Sequence, residues 1–179
     1  DEQPQTPQQF AKAILPLVQA LGLRLILEPG RFIVGNAGVL VTEELYVKTS
    51  RGKRFAVVDA GMNDLIRPAL YDAYHEVIPA VTAHSTRTGR ARYDIVGPVC
   101  ESADVLGRGR RLGTVVPGEF LTVLGAGAYG STMASNYNGR LRAAEVLVRG
   151  ARWELIRHRD TLPDLIRHDR IPSRLLAGS

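Results

Sequence analysis

Beyond residue 38 the chain is a succession of short runs of β-branched, aliphatic and aromatic residues, separated by turns that contain glycine or proline. Runs of this composition, bounded by turn residues, predict β-strands. The glycine-containing loop at residues 49–53 predicts a hairpin between the first two runs. The predicted strands are residues 39–48, 54–59, 75–81, 91–99, 119–124, 143–149 and 152–158, with the last two paired across Gly150.

The residues before this region follow a different pattern. Residues 6–21 predict a helix, because Thr6 and Gln9 have the spacing of a capping box. Pro16 is expected to kink or shorten this helix. The apolar residues 23–27 then predict a short buried strand, so the N-terminal part resembles one helix–strand unit of an α/β layer.

Short helical segments are also predicted within the β region. Residues 64–74 contain room for one or two helical turns, broken by Pro68, and residues 160–169 resemble a short terminal helix followed by a loose tail. The sequence therefore predicts the end of an α/β domain followed by a mostly antiparallel β domain. The fold class is mostly β with an α/β remnant.

Composition excludes several classes of protein. No apolar run approaches the roughly 20 residues that a membrane helix needs. Cys100 is the only cysteine in 179 residues, so neither a disulfide scaffold nor a thiolate metal site is expected. The N-terminal residues lack the pattern of a signal peptide, and a cytoplasmic location is expected.

The charge of the chain is modestly positive and is carried mostly by arginine. The formal net charge is +5, and 20 of the 23 basic residues are arginines. These arginines are scattered among carboxylates, and no aromatic residues interleave with them as a nucleic-acid stacking surface requires. A solvated surface of mixed charge is favoured over a nucleic-acid site.

The tetrapeptide Glu28-Pro29-Gly30-Arg31 directly follows the predicted strand at residues 23–27. In α/β barrels the loops after the strands build the active site. Gly30 permits close approach of an anion to the backbone, and the guanidinium of Arg31 can hold a phosphate or carboxylate through two hydrogen bonds. A plain Pro–Gly turn with surface charges is the alternative, and the residues alone leave both open.

A glycine-rich segment, residues 125–130, matches the spacing of a dinucleotide-binding loop. The residues that follow have no helical period, so the strand–turn–helix unit that such a loop requires is missing. We therefore reject a dinucleotide site. A loop that presents Tyr129, and its own amides, to an anion remains open.

Cys100 and Glu101 follow a predicted strand and a Gly–Pro pair. A single cysteine is most often a small core residue, but beside a carboxylate at a strand end it can act as a proton donor. The four histidines, His75, His84, His158 and His168, lack paired ligand spacing, so no metal site is expected.

Six segments occur together in the order and spacing of one family. With them the chain closely resembles the diaminopimelate decarboxylases, which belong to the fold-type III decarboxylases that use pyridoxal phosphate. The segments are EPGRFIVGNAGVLVT (28–42), VDAGMNDLIRPALYDAYH (58–75), VGPVCES (96–102), GAGAYGSTMASNYNGR (125–140), AEVLV (144–148) and LIRHRDT (155–161).

The resemblance implies two domains. Residues 1–31 would be the last helix and strand of a TIM-type barrel that binds pyridoxal phosphate, and residues 32–179 the C-terminal antiparallel β barrel or sandwich. The Schiff-base lysine of the family lies in the barrel part that this chain lacks, and Lys12, Lys48 and Lys53 do not match it. The chain is therefore expected to be inactive alone and to need the missing barrel part.

The resemblance also implies roles for the residues that contact the cofactor. Glu28 would pair with the pyridinium nitrogen and keep it protonated. Pro29, Gly30 and Arg31 would line the cofactor phosphate, with Arg31 also reaching the substrate. Tyr129 would contact both the cofactor and the substrate.

A second set of implied roles concerns the far end of the substrate. Arg67 and Tyr71 would bind the distal carboxylate of meso-2,6-diaminopimelate. Cys100 would protonate the carbanion after CO2 leaves, and Glu101 would hold the distal ammonium. In the family the last two residues reach into the partner's active site, so the resemblance implies a homodimer with shared sites.

The implied activity is the decarboxylation of meso-2,6-diaminopimelate to L-lysine and CO2 in lysine biosynthesis. Two alternatives stay open: a related decarboxylase with another amino-acid substrate, and a β domain that serves only as a dimerisation module. Neither nucleic acid nor membrane is an expected partner. Without the rest of a barrel, apolar surface is expected to be exposed near Leu15, Leu23, Leu25 and Leu27.

Overall fold

The computed structural model describes residues 4–85 and 89–176. It is mostly β, with one sheet of six strands and one of two, which confirms the predicted fold class. The strands are β1 (Leu40–Ser50), β2 (Lys53–Val58), β3 (Val77–Pro79), β4 (Ala91–Val96), β5 (Val105–Leu112), β6 (Phe120–Val123), β7 (Glu145–Arg149) and β8 (Arg152–Arg157). The helices are α1 (Pro7–Ala20), α2 (Gly30–Val34), α3 (Arg67–Tyr71), α4 (Thr82–Ser85), α5 (Leu162–Ile166) and α6 (Ser173–Leu176).

The larger sheet is a nearly closed barrel. Its strand order is β3-β6-β1-β2-β4-β5, and the two edge strands, β3 and β5, pack against each other. The β2–β4 pair is parallel and the other pairs are antiparallel, so the sheet is mostly antiparallel, as predicted. The one pair is parallel because the chain leaves β2, forms α3, β3 and α4, and returns to β2 in the same direction, which a parallel pair requires.

The barrel encloses the hydrophobic core. Ala56 and Val58 of β2, Ile95 of β4, Leu106 of β5 and Val123 of β6 are all fully buried. Each strand contributes alternate residues to this interior, as the period of a pleated strand dictates. Burial of apolar side chains in one enclosed cluster stabilises the barrel and fixes the loops at its ends.

The β1–β2 hairpin confirms the prediction from the glycine-containing loop. Ser50 pairs with Lys53, so the turn consists of Arg51 and Gly52 alone. Both residues adopt positive φ angles, 49° and 75°. This geometry is the two-residue turn whose twist matches antiparallel strands.

Strand β5 has no counterpart among the predicted strands. Its sequence, VLGRGRRL, contains two glycines and three arginines, which weaken the usual strand signal. It forms because β4 supplies its backbone partners from Ala91–Leu112 to Val96–Val105. Pairing with a distant strand therefore overrides local propensity here.

The N-terminal helix confirms its prediction. Thr6 and Gln9 form both hydrogen bonds of the capping box. Pro16 lies inside the helix, which continues to Ala20, so the expected shortening is wrong. The helix ends where Gly22 takes a φ of +64°, the left-handed conformation that favours glycine at this position.

The predicted strand at residues 23–27 is wrong, because these residues form no strand in the structure. A strand needs hydrogen-bonded neighbours, and a parallel barrel strand needs one on each side; the described residues supply neither. The expected exposure is confirmed: Leu15 is 43% exposed, Leu23 64%, Leu25 39% and Leu27 54%. The apolar side chains of residues 23–27 are therefore not buried against other described residues.

Helix α3 and the C-terminal region follow the predictions in outline. Pro68 stands in the first turn of α3, where proline is tolerated, so it begins the helix and does not break it. The hairpin of β7 and β8 forms as predicted, and α5 is the short terminal helix. Ser173–Leu176 adds one helical turn in the expected loose tail. No helix among the described residues is both long and apolar enough to cross a membrane.

Candidate functional site

Three of the predicted site residues come together as one cluster, formed by Arg67, Tyr71 and Tyr129. The guanidinium of Arg67 lies 5.9 Å from the centre of the Tyr71 ring and 5.3 Å from the centre of the Tyr129 ring. Cations are attracted to aromatic rings at these distances. Arg67 is half-buried and both tyrosines are exposed. The cluster therefore presents two phenol groups at the surface, together with a guanidinium that contacts both rings.

Local structure explains how α3 presents its two members of the cluster. Arg67 and Tyr71 are four residues apart, and helical residues at this spacing share one face. The helix stops at Asp72, which has a left-handed φ of 50° and donates its N–H to the carbonyl oxygen of Arg67. A single short helix therefore sets the relative position of the guanidinium and the phenol.

Tyr129 lies in the glycine-rich loop at residues 125–130 and has a φ of 62°. A non-glycine residue in this conformation carries a backbone cost of about 1–3 kcal/mol, and such residues cluster at functional sites. The surrounding loop is closely packed at two glycines. A Cβ on Gly127 would collide with the carbonyl oxygen of Val34, and one on Gly130 would collide with that of Ala126.

The backbone amides of this loop are used for structure. Ala126 donates its N–H to the carbonyl oxygen of Gly38, and Gly127 donates to that of Gly35. The possibility that these two amides bind an anion is therefore wrong. Their hydrogen bonds instead attach the Tyr129 loop to the turn that follows α2.

The tetrapeptide at residues 28–31 leads into α2. It therefore lies one helix before the turn to which the Tyr129 loop is hydrogen-bonded. Glu28 and Pro29 are exposed, as are Gly30 and Arg31 of the helix itself. The space in front of Gly30 is open, since nothing lies within 4 Å of a Cβ built there. Among the described residues, no side-chain hydrogen bond or ion pair uses Glu28 or Arg31, so both side chains remain available.

His75 is a residue of this region that the sequence analysis considered only as a metal ligand. It is 5% exposed and lies between the α3 segment and the Tyr129 loop. Burial lowers its pKa, the hydrogen bond to Leu124 opposes this effect, and the positive charges of Arg67, Arg110 and Arg31 lower the pKa further. A buried histidine next to a motif has no signal in a single sequence that separates it from an ordinary core residue.

Cys100 and Glu101 lie on the turn between β4 and β5. Cys100 is exposed, and the Glu101 carboxylate accepts hydrogen bonds from the Ser102 hydroxyl and the Ala103 N–H, both at 3.2 Å. No hydrogen bond, ion pair or ring contact in the described part of the chain joins them to the Arg67 cluster. Within one copy, the structure does not bring these two residues together with the other predicted site residues.

Asp104 holds this turn in place. Its two carboxylate oxygens accept the N–H groups of Met62 at 2.6 Å and of Val99 at 2.7 Å. Burial raises the pKa of Asp104, although both backbone hydrogen bonds oppose this effect. A Cβ on Gly97 would collide with this carboxyl group. The segment around Cys100 is therefore fixed against the loop that leads to α3.

Arg140 connects another of the recognised segments to the same loop. Its guanidinium donates to the Asn63 side chain at 2.8 Å and to the Asp59 carbonyl oxygen. Asn63 is 1% exposed and also accepts the N–H of Ser135. These contacts give the segments at 58–75 and 125–140 a structural reason to occur together. Across the described ranges no group of three or more potential ligands is arranged to hold a metal ion.

Comparison with known proteins identifies the family. Residues 31–127 match the model of the pyridoxal-dependent decarboxylases, in their C-terminal sheet domain. This match covers more than half of the chain. The chain belongs to the pyridoxal-dependent decarboxylase family and contains its C-terminal sheet domain.

Relatives within that family are diaminopimelate decarboxylases. The enzyme of Vibrio cholerae is 50% identical over 167 residues, which cover 92% of this chain and 39% of that enzyme. The crystal structure of the M. jannaschii enzyme in complex with L-lysine has a TM-score of 0.89 and 39% identity, covering 98% of this chain and 41% of that one. The Helicobacter pylori enzyme, also complexed with L-lysine, has a TM-score of 0.84 and 40% identity, covering 93% and 40%. The chain therefore spans about two fifths of each relative.

Proposed function

We propose that this chain supplies the C-terminal part of an enzyme that decarboxylates meso-2,6-diaminopimelate to L-lysine and CO2. The observation that carries the proposal is the Arg67 cluster, in which a guanidinium contacts the rings of two tyrosines. One of them, Tyr129, lies on the loop that is hydrogen-bonded to the turn after α2. Both solved relatives described above bind L-lysine, the product of this reaction. Membership of a pyridoxal-dependent family supports the reaction type.

The functional groups of the residues near α2 are of the kinds that bind pyridoxal phosphate. The guanidinium of Arg31 and the phenol of Tyr129 suit a phosphate, and the carboxylate of Glu28 suits a protonated ring nitrogen. The open space in front of Gly30, next to Pro29, leaves room for a ligand. Pyridoxal phosphate, when bound, supplies an electron sink for the electron pair that remains after CO2 departs.

Arg67 is the residue that we assign to substrate choice. Diaminopimelate carries a second carboxylate, and a planar guanidinium binds a carboxylate through two parallel hydrogen bonds. Contacts with the rings of Tyr71 and Tyr129 restrict the guanidinium, which reduces the entropy lost on binding. A substrate that lacks the distal carboxylate would leave this half-buried cation without a partner.

Cys100 and Glu101 are proposed to complete the site of a second copy. Both are exposed and separate from the Arg67 cluster of their own copy. The thiol of Cys100 would deliver the proton that replaces CO2, and the Glu101 carboxylate would bind the distal ammonium. A two-fold axis would then produce two equivalent sites in a homodimer.

The domain division is proposed on the same basis. Residues 1–31 are assigned to the end of the barrel domain and residues 32–179 to the β domain, and the family match beginning at residue 31 supports this boundary. The exposed apolar side chains at residues 21–27 favour a barrel domain as their cover. The chain alone is expected to lack activity, because none of its lysines matches the Schiff-base lysine.

The decisive experiment uses a chimera in which this chain replaces the matched segment of the Vibrio cholerae relative. Lysine formation from meso-diaminopimelate is measured with pyridoxal phosphate, for the chimera, for this chain alone and for the rest of the relative alone. We expect activity from the chimera only. An active isolated chain contradicts the assignment of the lysine to the missing part.

The control for substrate choice is a set of related amino acids, including ornithine and arginine, assayed with the same chimera. Turnover of one of these in preference to diaminopimelate would identify a related decarboxylase. A folded, dimeric chimera without activity on any of them would favour the non-catalytic dimerisation module.

A further inference from the structure

His75 occupies a position that connects the two halves of the Arg67 cluster. It follows α3 by four residues, and its side chain contacts the strand end at Leu124, directly before the Tyr129 loop. It is 5% exposed, so its contacts are made inside the protein. Neither the metal hypothesis nor the proposed reaction assigns it a role.

Next to the pairing of β3 with β6, two further hydrogen bonds join these segments. The imidazole Nδ1 of His75 lies 2.9 Å from the carbonyl oxygen of Leu124. A carbonyl oxygen only accepts hydrogen bonds, so Nδ1 carries the proton and donates it. The N–H of Leu124 donates to the carbonyl oxygen of Glu76 at 2.8 Å. Residues 75 and 76 thus bind both backbone polar groups of Leu124.

This arrangement fixes where the loop begins. Gly125, the first loop residue, has a φ of +69°, and a Cβ built on it would lie 3.8 Å from the His75 Nδ1. The imidazole therefore packs directly against the point at which the chain turns toward Tyr129. The next two residues, Ala126 and Gly127, are hydrogen-bonded to the turn after α2, and His75 adds an attachment on the α3 side.

The surroundings of the imidazole favour a proton on Nδ1 alone. Nε2 is buried and has no hydrogen-bond partner. The charged groups that act on the ring are Arg67, Arg110 and Arg31. A second proton on Nε2 would place a buried positive charge near three guanidinium groups. The ring is therefore held neutral, with its proton on Nδ1.

We propose that His75 is a positioning residue, which sets the approach of Tyr129 to Arg67 through its hydrogen bond to Leu124. The proposal rests on the proposed function, since it concerns the geometry of the same site. It predicts that the donor at Nδ1, and not the volume of the ring, is what the site requires.

Two substitutions in the chimera separate these requirements. His75→Asn keeps an amide N–H near the place of Nδ1 but removes much of the ring volume. His75→Phe keeps an aromatic ring and removes the donor. We expect His75→Phe to lower kcat/KM about tenfold to a hundredfold, as for a displaced site group, and His75→Asn to lower it much less. The opposite order, with Phe tolerated and Asn costly, would show a packing role and overturn the proposal.

A double-mutant cycle with Tyr129→Ala tests whether His75 acts through Tyr129. If it does, His75→Phe has little further effect once the Tyr129 ring, which contacts Arg67, is absent. Full and independent losses in the double variant would overturn the proposal. This comparison requires an active chimera, so an inactive chimera counts against the proposed function and not against the role of His75.

A readout without activity is the nitrogen NMR spectrum of the histidines in this chain, assigned by comparison with His75→Asn. We expect the His75 ring to be neutral and protonated on Nδ1 at pH 7.5, because burial lowers its pKa and Nδ1 donates to the Leu124 carbonyl oxygen. A proton on Nε2, or a charged ring at this pH, would overturn the proposal.

Discussion

At the residue scale, some residues carry a free-energy cost of backbone strain or of burial. Such a cost is offset where the residue makes a contact that the fold or the site needs. Tyr129 holds a strained backbone angle where its ring meets Arg67. Asp104 is buried because it accepts two backbone N–H groups. Glu44 is the exception: its side chain is fully buried and neither carboxyl oxygen has a hydrogen-bond partner.

Glu44 makes stability depend on pH. Burial, and after it the charge of Glu119, raise the pKa of Glu44 from 4.5 to about 7. The folded state therefore holds a proton that the unfolded state has lost, so stability is fully present below pH 4.5 and falls as the pH rises toward 7. At one pKa unit per 1.36 kcal/mol, the loss reaches roughly 3 kcal/mol.

The test is Glu44→Gln, which keeps the shape and removes the titration. Urea unfolding of this chain at pH 5 and pH 8 should show the variant close to the parent at pH 5 and more stable than it at pH 8. Glu43→Gln, on the same strand but only partly buried, is the matched control and should show no such difference. Parallel stability curves for Glu44→Gln and the parent would contradict the prediction.

At the scale of elements, the site depends on two segments that approach each other closely because each has a glycine at the point of contact. The turn after α2 and the Tyr129 loop come together where Gly38 faces Gly127: a Cβ on Gly38 would lie 2.6 Å from the Gly127 Cα. The nearest atoms on both sides belong to the backbone, so no flexible side chain could move to make room for an added Cβ. The glycine-rich segment therefore serves for contact between two backbones, where the sequence pattern alone resembled a nucleotide loop.

Gly127→Ala tests this contact. Its new methyl group would meet the carbonyl oxygen of Val34 and the N of Gly38, so we expect a loss of unfolding free energy of about 2 kcal/mol or more, as for overpacked interiors. Gly30→Ala is the control, since nothing lies within 4 Å of its new Cβ. Thermal unfolding of both variants measures the difference, and equal effects of the two substitutions would refute the argument.

At the scale of the whole molecule, the surface is unusually apolar where α1 and the residues after it lie. Leu21 is 70% exposed and Ile26 is 69% exposed. Exposed apolar groups that follow one another along the chain in this way mark an interaction surface. The isolated chain should therefore interact with hydrophobic dyes.

Dye fluorescence measures this exposure. The chain should enhance the fluorescence of a hydrophobic dye, and the double variant Leu23→Gln with Ile26→Gln should reduce the signal. The control pair Lys12→Gln with Arg24→Gln changes neighbouring polar residues and should leave it unchanged. A chain that binds no dye would show that this surface is covered in solution.

The proposed sharing of sites between two copies is tested at the scale of a dimer. Chimeras with Arg67→Ala and with Cys100→Ala should each be nearly inactive, because each lacks one group in both sites. If Cys100 acts in the partner's site, mixing the two variants restores about a quarter of the parent activity, since half of the dimers are mixed and each has one intact site. No recovery on mixing would place Cys100 in the site of its own copy.

Local sequence determined the features that involve neighbouring residues. Thr6 and Gln9 are three positions apart, so the helix cap follows from spacing alone, and the two-residue turn at Arg51 and Gly52 fixes its hairpin in the same way. The recognised segments indicated the family and named the residues of the Arg67 cluster. The cap and the turn could be predicted because the atoms involved are close together along the chain.

Tertiary structure decided the features in which distant parts of the chain meet. Strand β5 exists because β4 pairs with it, and residues 23–27 form no strand because they have no neighbours in the described chain. The hydrogen bond from His75 to Leu124 joins residues 49 positions apart, so no local pattern predicts it. Backbone hydrogen bonds and close packing are satisfied between segments, and only the folded barrel determines which segments are adjacent.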